Sequence, residues 1–125
     1  MEELGIVEPG EGFIQPPSSW MFDLNGDDYR RLCILLFRFG YYADAAFECG
    51  EDVRTCYYES QKTMCMWFGM SDNSRTKVGS FLKRMEKGGY LTITRQRMRV
   101  DDEWQVRHYI VVNEPKLIAK YGLAP

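Results

Sequence analysis

Gly88-Gly89 divides the second half of this chain into two regimes of side-chain periodicity. Upstream, Val78, Phe81, Leu82 and Met85 recur at helical spacing. Downstream, Leu91 to Val100 and Trp104 to Val112 read as extended runs, the first alternating imperfectly and the second more clearly. Asp101-Asp102-Glu103 sits between the two runs as the turn of a hairpin. Glycine permits the left-handed backbone that ends a helix. The chain must therefore accommodate an amphipathic helix that runs directly into a β-hairpin.

The rest of the chain supplies the helices. Residues 1–19 are rich in Glu, Gly and Pro and end in Gln15-Pro16-Pro17-Ser18-Ser19, which reads as a loose arm with Phe13 and Ile14 touching the body. Asn25-Gly26-Asp27-Asp28 has the acidic character of a helix start. Leu32, Leu35, Leu36 and Phe39 follow at helical spacing with Cys33, Ile34 and Phe37 beside them, so this helix is central, and Gly40 is its expected stop. Residues 41–53 read as a connector turning at Gly50-Glu51-Asp52, and Thr55-Cys56-Tyr57-Tyr58 as a short β-prone run. Ser60 caps a second helix with Thr63, Met64, Trp67 and Phe68 on one face and Gly69 at its end. The third helix starts from Ser71 or from Ser74; the sequence leaves both open. Glu114-Pro115-Lys116 opens a short terminal helix through Tyr121. The expected organisation is an arm over 1–19, one domain over 20–113, and a short helix with a tail over 114–125. A chain of 125 residues is about one domain and long enough for one core.

Several chemistries lack their residues. Neither G-x-G-x-x-G nor G-x-x-x-x-G-K-[ST] occurs, so the common nucleotide cradles are absent. His108 is the single histidine, and Cys33, Cys49, Cys56 and Cys65 contain no Cys-x-x-Cys pair, which argues against a zinc site. No cluster of acid, base and nucleophile stands at motif spacing. The expectation is a protein that is not an enzyme and takes no cofactor or metal. No apolar run approaches the ~18 residues of a membrane span, and the N-terminus has no signal-peptide pattern. A cytoplasmic location without membrane contact is expected, and the cysteines are then expected as thiols.

The formal net charge of −2 conceals a strong asymmetry. Residues 1–60 carry 12 acidic and 4 basic side chains, while residues 61–125 carry 6 acidic and 12 basic. Arg75, Lys77, Lys83, Arg84, Lys87, Arg95, Arg97 and Arg99 are set against Glu86 alone. Such density has two readings: solvated faces paired with the acidic first half, or a basic surface for a polyanion.

The order helix, short strand, helix, turn, helix, hairpin is that of a winged helix-turn-helix. Ser60, Met64, Cys65, Phe68, Gly69-Met70-Ser71, then Val78, Leu82, Met85-Glu86, Gly89 and Leu91 resemble the core of winged-helix DNA-binding domains. Phe13-Ile14-Gln15-Pro16-Pro17, the approach Tyr57-Tyr58-Glu59-Ser60 and the closing Tyr109-Ile110-Val111-Val112-Asn113 are similar to the N-terminal domains of plasmid replication initiators and phage replisome organisers. Between Ser71 and Val78 this chain holds three residues more than the common pattern, and Lys77 stands where that family often has Thr. The resemblance implies an α+β fold: a three-helix core with a short strand and a C-terminal hairpin wing. It also implies non-enzymatic binding of double-stranded DNA in replication initiation.

Residue geometry gives that expectation specific atoms. With Val78, Phe81, Leu82 and Met85 turned inward, Thr76, Ser80, Lys83 and Lys87 fall on the opposite side of the helix, with Lys77 and Arg84 on a flank. Thr76, Lys77 and Ser80 are placed for bases, and Lys83, Arg84 and Lys87 for phosphates, with Arg75 a further DNA-binding residue. Arg95, Arg97 and Arg99 share one face of a strand, and Arg107 is expected to join them across the ladder. Like charges side by side repel, and a phosphate backbone would relieve them. The acidic tip argues that the strand face rather than the turn approaches DNA. Two other functions fit the same elements: a transcriptional regulator binding as a dimer, and a protein–protein module that has lost DNA binding and works through its acidic first half; the expected protein partners are a second copy (homodimer) or a replication protein.

Overall fold

The computed structural model describes residues 15–123. The expected contacts of Phe13 and Ile14 lie outside those residues. Five α-helices and one hairpin are described: α1 Ser18–Asp23, α2 Gly26–Glu48, α3 Gln61–Phe68, α4 Arg75–Lys87, β1 Leu91–Val100, β2 Glu103–Val112 and α5 Pro115–Tyr121. This is a helical bundle carrying a two-stranded antiparallel hairpin, an α+β arrangement that resembles a winged helix-turn-helix.

α2 is the central element, and it is longer than its sequence suggests. Asn25 caps it, its side chain accepting from the Asp28 amide at 2.8 Å. Leu32, Leu35, Leu36, Phe39, Ala43 and Ala46 are buried along one face. Gly40 does not stop the helix. A mid-helix glycine costs roughly 0.5–1 kcal/mol, less than the burial gained by carrying Ala43 and Ala46 into the core. Residues 41–48 are thus helix and not connector. The helix ends where Gly50 adopts φ 73°, its amide bonding Phe47 O while the Glu51 amide bonds Ala46 O.

Two other local expectations change. Thr55–Tyr58 forms no strand: Val53–Thr55 is a 3-10 turn, and the contact to the hairpin is the Ile110 amide donating to Tyr57 O at 2.9 Å. Ser18 and Ser19, the end of the expected arm, open helix α1 (Ser18–Asp23), in which Trp20 buries itself edge-on against Tyr90 with ring centroids 6.1 Å apart. Neither candidate cap before α4 makes a side-chain cap bond. Ser71 leads a 3-10 turn over Asp72–Ser74, and α4 begins at Arg75.

A polar hub ties α2 to α3. The Glu59 carboxylate accepts from Tyr57 Oη at 2.6 Å, from Arg38 at 2.9 and 3.5 Å, and from Trp67 Nε1 at 3.1 Å. Arg38 also lies over the Trp67 ring at 4.2 Å. Trp67, expected on the core face of α3, is therefore turned outward, and Met64, Cys65 and Phe68 fill the core in its place.

The hub makes two predictions. Replacing Glu59 with Ala leaves three donors without their acceptor and should cost about 2–4 kcal/mol, read from the urea midpoint with an unchanged slope. Burial and the bond to Glu59 push the Tyr57 hydroxyl above the usual tyrosine range, and burial pushes the Cys56 thiol up to about 11. Tyr57 in its neutral form therefore stabilises the fold fully below about pH 10 and loses that contribution as pH rises toward its folded value. Tyr57→Phe should make the alkaline decline in stability shallower, measured by denaturant unfolding between neutral pH and pH 11.

Candidate nucleic-acid interface

α4 keeps Val78, Phe81, Leu82 and Met85 in the core, as its periodicity requires. Arg75, Thr76, Lys77, Ser80, Lys83, Arg84 and Lys87 are all exposed. The helix stops at Gly88, with Gly89 at φ 83°. Its two flanks face different neighbours. On one side Glu86 meets the hairpin through Arg95; on the other Arg84 meets α2 through Asp28.

The hairpin turns through Asp101 and Asp102 at φ 52° and 64°, the two-residue geometry whose twist matches its strands. Its register pairs Arg95 with His108, Arg97 with Val106 and Arg99 with Trp104. Opposed residues share a face, so the three arginines continue the face that buries Leu91, Ile110 and Val112 at the base. Beyond the helices that face changes from aliphatic to cationic. Arg97 and Arg99 lie 4.9 and 5.9 Å from the Trp104 ring centre, which is itself 58% exposed.

Arg107 does not join them. It pairs with Gln96 on the opposite face, half-buried over the Tyr58 ring at 4.4 Å. There it walls a groove of about 340 Å³ between Tyr58–Gln61 and β2. Across the two-residue turn, odd positions of β1 stand opposite even positions of β2, so Arg107 falls on the other face from Arg95, Arg97 and Arg99.

Self-pairing accounts for part of the charge. Arg84 is held by Asp28 at 2.9 and 3.3 Å, the pairing with the acidic half that the composition allowed. Arg95 is held by Glu86 at 3.0 and 3.1 Å, and Arg99 approaches Asp102 at 3.7 Å. Arg75, Lys77, Lys83, Lys87 and Arg97 make no ion pair with a described carboxylate. The result is a surface with surplus positive charge whose arginines are partly oriented by their own counter-ions.

Tyr57 is buried and stacks on Tyr42 at 5.4 Å. His108 is exposed. Two residues of the neighbourhood escaped sequence reasoning: Asp28 and Arg31, three apart at the start of α2 and opposite Arg84. Acid at a helix start was legible, but its cross-element partner was not. Comparison with family models, with curated proteins and with solved structures finds no match to this chain.

The Arg95–Glu86 pair is open to solvent and holds the Glu86 carboxyl below the usual carboxylate range through its hydrogen bonds to the guanidinium. Exposed pairs contribute little. Glu86→Gln should therefore shift thermal stability at neutral pH by less than about 1 kcal/mol, as read by differential scanning calorimetry.

Proposed function

We propose that this domain binds double-stranded DNA, with the exposed ridge of α4 in the major groove and the arginine face of the hairpin on the adjoining phosphates. An arrangement of helices and hairpin compatible with nucleic-acid binding supports this reading. The observation that carries it is the surplus of cations that pair with no described carboxylate on two adjoining elements, Lys83 and Lys87 on α4 and Arg97 on β1. An α-helix fits the major groove of B-form DNA, where base edges differ in donor and acceptor pattern. Thr76, Ser80, Lys83 and Lys87 form the ridge of α4 farthest from its buried face. Arg95, Arg97 and Arg99 stand on one flank as phosphate contacts. The acidic turn Asp101-Asp102 keeps the hairpin tip away from the duplex.

The sequence resemblance to plasmid initiators and phage replisome organisers makes initiation of replication the process we assign. A transcriptional regulator built on the same elements would read a two-fold half-site as a dimer, so a monomer by light scattering with single-site binding favours the first assignment.

Wild-type protein should bind duplex DNA with an affinity that falls steeply with salt. Replacing Arg95, Arg97 and Arg99 together with Gln should weaken binding and reduce the log–log salt slope by about 2 to 3. Glu86→Gln should act the opposite way, because it removes a negative charge and frees Arg95. Fluorescence anisotropy on a labelled duplex from 50 to 200 mM salt reads both, on the order of the range where such contacts dominate. An unchanged slope in the triple variant removes the hairpin from the interface.

A further inference from the structure

On the flank of α4 away from the hairpin, Arg31, Thr76, Lys77, Ser80 and Arg84 line an open notch between α2 and α4. Three of these side chains are cations and two carry hydroxyls. The carboxylate beside them is Asp28, which is buried. Both of its oxygens are taken by Arg84, at 2.9 and 3.3 Å, and Arg31 approaches no closer than 3.9 Å. One carboxylate thus faces two guanidiniums. Arg31 is the surplus cation: its side chain is 17% exposed, and its Nε is buried without a hydrogen-bond acceptor among the described residues.

A mostly buried guanidinium without a matched counter-charge is costly, and an anion seated in the notch would supply the match. A phosphate group fits the set of donors. Guanidinium groups offer paired N–H donors, the ammonium a point charge, and Thr76 and Ser80 short hydroxyl donors. We infer that this notch is a phosphate-binding site that holds one backbone phosphodiester of the duplex, on the strand across the groove from the one that meets the hairpin. The inference rests on the DNA-binding reading for the source of the phosphate, and on the notch alone for the chemistry. It changes the roles expected from sequence: Thr76, Lys77 and Ser80 hold the backbone and do not read bases, and Arg31 joins the interface.

The test uses the full chain, with Arg31→Gln and Lys77→Ala. Two probes are titrated: inorganic phosphate, followed by ¹⁵N NMR of the arginine Nε–H signals and the Thr76–Ser80 amides, and a labelled duplex followed by anisotropy. Phosphate should shift the Arg31 and Lys77–Ser80 signals of the wild type but not those of Arg31→Gln. Each variant should bind duplex about tenfold more weakly with a salt slope reduced by about 1, uniformly across sequences. The melting temperature of Arg31→Gln should be unchanged or higher, because a like charge beside Arg84 is removed; a purely structural Arg31 would lower it. Wild-type affinity and slope in both variants, with no phosphate-induced shifts, overturns the notch while leaving duplex binding in place. Phosphate shifts at the notch without any duplex binding overturn the DNA reading, and leave the site as one for a free phosphate or phosphomonoester.

Discussion

The buried face of α2 is the constraint on which the other elements depend. Leu32, Leu35, Leu36 and Phe39 are at most 1% exposed, and the core they belong to includes side chains from α1, α3, α4, both strands and α5. No other described element is as long or has as many buried positions. A two-stranded hairpin is marginal alone in water. Here its base is anchored by Leu91, Ile110 and Val112, and only the outer half projects. α4 is fixed in the same way, through Val78, Phe81 and Met85. The spatial relation between the α4 ridge and the hairpin arginines is therefore set by apolar packing and not by the charges themselves.

That division explains how the surface tolerates its own repulsion. Hydrophobic packing holds cationic elements together, and a few carboxylates are placed to orient rather than neutralise. Glu86 fixes the root of the arginine row through Arg95. Trp104 offers its ring to Arg97 and Arg99, an interaction that holds a guanidinium without consuming its charge. Among the described residues of the acidic first half, only Asp28 reaches an α4 or β1 cation.

Much of this was legible in the sequence because it follows from period and punctuation. Ser60 and Gly69 bound α3, Gly88-Gly89 ends α4, and Glu114 caps α5, each a local rule acting within one turn. What failed did so where distant residues decide. Gly40 looked like a stop because its cost is local while the benefit of Ala43 and Ala46 is tertiary. Trp67 was placed inside because its partners, Glu59 and Arg38, sit on other segments. Ser18 and Ser19 read as arm because the Pro-rich stretch before them is a local signal, whereas the helix they open is held by Trp20 packing on Tyr90. In the candidate site, α4 exposure and the common face of Arg95, Arg97 and Arg99 came from periodicity. The placement of Arg107 needed the register, and that of Arg31 needed the contact between α2 and α4.

Asp28 shows how one residue can serve both folding and charge presentation. Its position in the first turn of α2 suits the positive end of the helix dipole, and its amide is capped by Asn25. Burial alone would make that carboxylate costly, and Arg84 offsets the cost by spanning 56 residues to reach it. With a neutral side chain at position 31, Asp28 and Arg84 would be a half-buried ion pair stapling two helices. A second guanidinium at 3.9 Å exceeds what Asp28 can match and adds nothing to the staple. Selection for stability alone does not favour an excess cation next to a satisfied pair, since an apolar side chain of similar volume would pack without repulsion. The excess has a physical use only when a second anion completes the set, and the exposed hydroxyls and ammonium of Thr76, Ser80 and Lys77 face the space that anion would occupy.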